Sequence, residues 1–215
     1  MRRLILATIT IGLIVGSSVA WLQSTRYQSV TARQANLATS DLQGVLLPMP
    51  RVLTDFALSD QNNAPFTKEQ LLGRWTLLFF GYTYCPDICP TTLLTLKEAE
   101  HELISNRGIR PQIALISVDP LRDDPATLGR YVKHFGDTYL GIHGRDEQLQ
   151  LLTRQVGAMY ERDTPDADGN YQVAHSSSVF VINPEGGLHA VFSAPHRSRF
   201  IAEKMTAMVS HYGAR

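Results

Sequence analysis

Apolar positions along this chain change their spacing several times, and each change predicts a different element. From Leu4 to Leu22 nineteen residues pass without a charge, preceded by Arg2 and Arg3. As a helix this run reaches about 28 Å, close to the roughly 30 Å hydrocarbon core of a bilayer. The two leading arginines predict an N-terminus held in the cytoplasm, with the rest exported and Trp21 at the far interface. Ser18-Val19-Ala20 also resembles a small-residue cleavage site, so a signal peptide is the rival reading. The length of the run and its Trp-Leu ending favour an uncleaved anchor. The pattern therefore divides the chain into an anchor over residues 1–23, a polar and small-residue tether over 24–48, and a domain over 49–212.

Within the domain, apolar runs alternate with helical spacing. VLTDFALSD and APFTKEQLLGRW suggest a short hairpin and a turn. WTLLFFGYTY and IALISVDP are continuous apolar runs, as expected of strands buried on both faces. Between them, Pro90 is expected at the first position of a helix that stops at Asn106-Arg107-Gly108. DDPATLGRYVKHFG predicts a second helix starting at Pro125, and RDEQLQLLTRQVGAMY a third. SSVFVI and LHAVFSA flank Asn183-Pro184-Glu185-Gly186-Gly187, a hairpin signal, and SRFIAEKMTAMVSHY closes the chain as an amphipathic helix. This order is that of an α/β thioredoxin-like sandwich with a central mixed sheet, preceded by one transmembrane helix. In such open sheets functional groups gather at the carboxyl ends of the strands. The loop after WTLLFFGYTY, Asp119 after IALISV, and the segments beside the C-terminal hairpin meet there.

Composition narrows the function classes. Apolar residues make up 44% and charged residues 19%, the balance of a globular protein. Twenty basic residues are matched by twenty acidic ones and no block of like charge occurs, which excludes nucleic acid as a partner.

Candidate chemistry lies in GYTYCPDICP, residues 81–90, which holds both cysteines of the chain. Cys85 is placed on the loop leaving a strand and Cys89 at the mouth of a helix, where partial positive charge lowers a thiol pKa. Residues four apart on a helix have Cβ atoms about 5–6 Å apart, whereas a disulfide prefers about 3.5–4.5 Å. The loop around Pro86 and Pro90 leaves the pair able to close or to stay open. Three readings follow: a structural disulfide, which would close a very small loop; a thiol–disulfide exchanger with unusual spacing; and a metal site. Two thiolates suit Cu(I) above all, and structural zinc lacks its second pair of ligands. A copper site needs a further ligand, and there are seven histidines. His101 and His134 fall on helical patterns, His143 in a turn expected to be exposed, His189 in a strand, and His196 and His211 near the C-terminus without partners. His175 stands out because it immediately precedes the strand at the active edge of the sheet, although position alone leaves an ordinary hydrogen-bonded histidine open. Asp87, inside the motif, is read as solvated. A peroxiredoxin-like peroxidase would need a cysteine placed differently, with Thr and Arg partners.

The blocks GYTYCPDICPTTL, ISVDPLRDDP, GRDEQLQLLTRQVGAMY and YQVAHSSSVFVINPEG resemble, in order, those of the Sco/SenC proteins. These are membrane-anchored, thioredoxin-fold copper proteins that assist cytochrome c oxidase assembly. The resemblance covers roughly residues 50–212 and implies that Cys85, Cys89 and His175 bind copper, as Cu(I) or Cu(II). It places Asp119 at the aspartate of the family's DP block, either supporting the site or docking a partner, against a plain role capping a strand end. One departure is Ala174, where several relatives carry Asp. The implied function is a metallochaperone, not an enzyme, that delivers copper to the binuclear copper site of the oxidase. The alternative is a membrane-anchored thiol–disulfide oxidoreductase that keeps the oxidase's copper-site cysteines reduced. Implied partners are the copper-site subunit of the oxidase, a thiol reductant and another copper chaperone. The implied location is the bacterial inner membrane, single-pass, with the soluble domain on the periplasmic or extracytoplasmic side.

Overall fold

A computed structural model describes residues 45–212. The anchor expected over residues 1–23 and most of the expected tether lie outside the described residues. Among the described residues, no helix is long and apolar enough to cross a membrane.

Six strands form one mixed sheet in the order β1-β10-β9-β4-β5-β6. Its centre is built from the two apolar runs. β4 (Thr76–Gly81) is buried at every position and pairs in parallel with β5 (Gln112–Ser117), from Thr76↔Gln112 to Gly81↔Ser117. Strands covered on both faces need no polar alternation, which is why TLLFFG and IALIS read as unbroken apolar runs. β6 (Leu140–Ile142) extends the parallel half. On the other side, β9 (Val179–Ile182) pairs antiparallel with β4, β10 (Gly187–Phe192) with β9, and β1 (Leu46–Val52) with β10. β1 begins inside the stretch expected to be tether: residues 46–48 already belong to the sheet. Pro48 and Pro50 lack N–H donors, which disguised this edge strand as linker.

The first helix, α1 (Ile88–Arg107), starts earlier than expected. Asp87 is its N-cap residue, so Pro90 occupies the third helical position rather than the first, where its missing N–H still costs no helical bond. It ends as expected at Gly108, in the left-handed conformation (φ 65°) that glycine adopts without strain. α2 (Pro125–Phe135) does start at Pro125, capped by Asp124, whose side chain accepts from the Thr127 N–H at 2.6 Å. α3 (Asp146–Val156) stops before Gly157, so Ala158-Met159-Tyr160, expected to continue the helix, instead leave it. α4 (Ser198–Tyr212) packs against α1, and α2 against β6.

Two small hairpins stand apart from the main sheet. β2 (Leu58–Ser59) and β3 (Pro65–Phe66) form the hairpin expected near the start of the domain, followed by a 3-10 turn over Lys68–Leu71. β7 (Tyr160–Arg162) and β8 (Val173–His175) pair antiparallel, with Tyr160 opposite His175 and Arg162 opposite Val173. His175, expected immediately before a main-sheet strand, thus ends a separate two-stranded ribbon, with three residues between it and β9.

Candidate metal centre

The carboxyl end of β4 delivers the two thiols. After Gly81 the chain turns, the Cys85 N–H donating to the Tyr82 carbonyl at 3.3 Å, and enters α1, whose first turn holds Cys89. Both cysteines are free and buried, Cys85 at 8% exposure and Cys89 at 0%. The β7–β8 ribbon brings His175 to the same place, its ring nearly perpendicular to those of Phe79 and Tyr82. One ligand atom from each of Cys85, Cys89 and His175 lies within 4.8 Å of the others, the one such metal-capable group among the described residues. His175 Nε2 is 3.4 Å from Cys89 Sγ, while Nδ1 is 3.1 Å from the Ser176 carbonyl. A proton on Nδ1 donated to that carbonyl leaves the Nε2 lone pair facing the sulfurs.

Burial decides the protonation of the group. The Cys89 thiol is pushed well up, first by desolvation and then by its hydrogen bond with Cys85. This corrects the expectation of a lowered thiol at a helix mouth: at 0% exposure the desolvation of a thiolate outweighs the helix N-terminus. His175 is pushed down by burial, partly offset by the Ser176 carbonyl, and is held neutral with a free lone pair. Two soft sulfurs and one imidazole with no oxygen donor suit a soft ion such as Cu(I), disfavour calcium and magnesium, and fall short of the four protein ligands of a structural zinc site.

Asp119 is not among the clustered donors. It is fully buried, accepting from Arg122 Nε at 2.5 Å and from the Tyr171 hydroxyl at 2.6 Å. Its carboxylate, enclosed by those two partners, ties the β5 end to the segment leading into β8. Arg122 in turn donates to the Tyr171 carbonyl at 3.1 Å and lies 3.6 Å from the Tyr171 ring centroid. Tyr82 donates to Gln172 Oε1 at 2.8 Å. Asp123, also buried, accepts from the Thr83 hydroxyl at 2.5 Å and from Ser117 Oγ at 2.6 Å, bracing the cysteine loop two residues before Cys85. The sequence pattern singled out none of these supports except Asp119, because Tyr171, Gln172 and Thr83 reach their partners from 40 or more residues away. Gly81 was also missed: a Cβ there would meet Cys89 Sγ at 2.7 Å, Leu115 at 3.0 Å and Phe79 at 3.2 Å.

The remaining histidines are placed elsewhere. His101 and His134 are exposed on helices, as expected. His143 is half-buried rather than exposed, its Nε2 3.1 Å from the Asp60 carbonyl, because a bridge between Ser59 and His143 draws it inward. His196 does have a partner, the Ser177 carbonyl at 2.7 Å from Nε2. His189 is buried beside Trp75 and Tyr212, and Asp87 is exposed.

The model of the SCO1/SenC family matches residues 46–210. A Stutzerimonas stutzeri protein with a provisional copper-binding name is 37% identical over 164 residues, which are 76% of this chain and 80% of that protein. The mouse mitochondrial SCO2 homologue is 38% identical over 133 residues, 61% of this chain and 52% of that protein. The crystal structure of Arabidopsis thaliana ScoI with copper bound superposes with a TM-score of 0.71 at 30% identity, covering 75% of this chain and 99% of that one.

Proposed function

The chain belongs to the SCO1/SenC family, and on that premise we propose that it is a copper metallochaperone for the binuclear copper site of cytochrome c oxidase. The carrying observation is the convergence of Cys85, Cys89 and His175 within 4.8 Å; these three are the proposed ligands. Sco proteins bind copper and act in oxidase assembly, and the donor set here suits that cargo. Two thiolates and one imidazole hold Cu(I) in three-coordinate fashion, and Cu(II) with an added water or ligand. So few ligands leave the ion open to exchange onto cysteines and histidines of a recipient. Loading displaces the thiol protons; Cys89 must give up a proton that burial holds tightly. The anchor over residues 1–23 would fix the domain to the inner membrane on the extracytoplasmic side; cell fractionation with and without those residues tests that part.

The direct test is copper content after anaerobic reconstitution. Cys85→Ser, Cys89→Ser and His175→Ala are each expected to lose stoichiometric binding, and full binding by all three sinks the assignment. In cells, a deletion strain is expected to lose oxidase activity and regain it with added copper.

One observation favours a second reading. The Cys85 and Cys89 sulfurs lie within 4.8 Å of each other, so the pair is placed for thiol–disulfide exchange with the oxidase's copper-site cysteines, in which a substrate disulfide is reduced as this pair is oxidised. Full oxidase activity in a His175→Ala strain at limiting copper would favour that reading over delivery.

A further inference from the structure

The thiols and the imidazole reach the site on supports of different kinds. Cys85 and Cys89 follow β4, a fully buried strand paired on both sides. His175 ends a ribbon of two three-residue strands that pair only with each other. An isolated two-stranded ribbon is marginal by itself, so other contacts must hold it down. Tyr82 bonds to Gln172 and to the Val173 N–H, and Asp146 accepts from the Tyr160 hydroxyl at 2.8 Å; the others fall on two consecutive residues just past β5. On the returning arm, the Tyr171 hydroxyl donates to Asp119. On the outgoing arm, Arg162 donates to the Val118 carbonyl from both Nε (3.0 Å) and a terminal nitrogen (2.8 Å). That terminal nitrogen is also 2.7 Å from Asp146 at the start of α3. Val118 is fully buried and its N–H donates to the carbonyl of Gly81, the residue from which the cysteine loop departs.

We propose that Arg162 is a positioning residue for His175: one guanidinium pins the outgoing arm of the ribbon to Val118 and Asp146 and so sets how long the imidazole stays beside the two thiols. Arg162 touches none of the three donors. It acts through β7, whose Tyr160 is paired with His175 two residues away. Release of this pin lets the imidazole withdraw while both thiols remain in place, leaving a two-sulfur site open to an incoming ligand. The consequence for metal release rests on the copper reading above; the positioning itself does not.

The test uses the full chain carrying Arg162→Gln, with Arg162→Lys as the conservative comparison and Asp146→Asn as a milder variant. In metal-free protein, hydrogen exchange is followed at the Asp163 and Ser176 amides, which bond to the Gln172 and Met159 carbonyls across the ribbon. Arg162→Gln is expected to speed exchange at both by roughly tenfold or more, since charge-assisted bonds to a buried acceptor are lost, with β9 and α4 unchanged. Arg162→Lys recovers part of the protection, because one ammonium reaches one of the two acceptors. In Cu(I)-loaded protein, transfer to bathocuproine disulfonate is expected to accelerate by a similar factor without change in the number of titratable thiols. Unchanged ribbon exchange, or an increase spread equally over β9 and α4, overturns the proposal. Should Arg162→Gln not fold, the same exchange measurement on Asp146→Asn decides, with a smaller local increase expected and no increase overturning it. Wild-type protein that takes up no Cu(I) defeats the copper reading alone, because the exchange arm needs no metal.

Discussion

Cys89 stands where two opposed influences on a thiol meet: a helix N-terminus that favours the thiolate and complete burial that opposes it. Burial prevails, and the sign of two pH effects follows. A thiol raised in the folded state adds stability that is fully present below its ordinary value near 8.5 and is lost as pH rises above it. The depressed His175 acts at the other end: its contribution is present above about pH 6.5 and is lost as pH falls below that. Denaturant melts of the metal-free protein are therefore expected to weaken above about pH 8.5 and again below about 6.5, with Cys89→Ser removing the alkaline limb and His175→Ala the acid one. Copper affinity is expected to climb with pH throughout the neutral range, because loading expels protons. Gly81 offers a second residue-scale prediction. The β-carbon of Gly81→Ala would meet the Cys89 sulfur, with the fully buried Phe79 and Leu115 on its other sides. Overpacking of this kind typically costs about 1–3 kcal/mol, and the variant is expected to fold but bind copper weakly, as read by metal content and thermal melting.

At the scale of elements, the site is a meeting of two strand ends, those of β4 and β5, the first turn of α1 and one ribbon. β4 and β5 were legible because strands buried on both faces advertise themselves as apolar runs, and α1 and α2 because glycine and proline punctuate them. β6, β7 and β8 were not, since three residues are too few to display a period and their pairing depends on distant neighbours. The same limit hid the supports of the site. Cys85, Cys89 and, through resemblance, His175 could be singled out, yet nothing near Tyr171 in sequence announces that it meets Asp119, 52 residues away. That meeting predicts Asp119→Ala to lower stability by about 2–3 kcal/mol, because it strands the Arg122 guanidinium and the Tyr171 hydroxyl in a part-buried place. Tyr171→Phe, which leaves the ion pair, is expected to lower it by about 1 kcal/mol. Urea titration separates the two, and equal effects would mean that the Asp119–Arg122 pair is not what holds this corner.

For the whole molecule, a metal held by the three proposed ligands would link distant parts of the chain. Ligand bound only by the folded state stabilises it by RT ln(1 + [L]/Kd), about 4 kcal/mol at a thousandfold excess over Kd. Copper is expected to raise the melting temperature of the wild type, and to leave it unmoved in Cys85→Ser, Cys89→Ser and His175→Ala. Cys89 and His175 are 86 residues apart, and β5, β6, β7 and three helices lie between β4 and β8. A ribosome makes the chain from its N-terminus, so the thiols exist for the time needed to synthesise those residues before the imidazole does. During that interval the two sulfurs have only each other, and no three-donor site exists. Loading therefore belongs to the finished domain, and the newborn chain depends on reducing conditions at its own site of synthesis more than the mature one does.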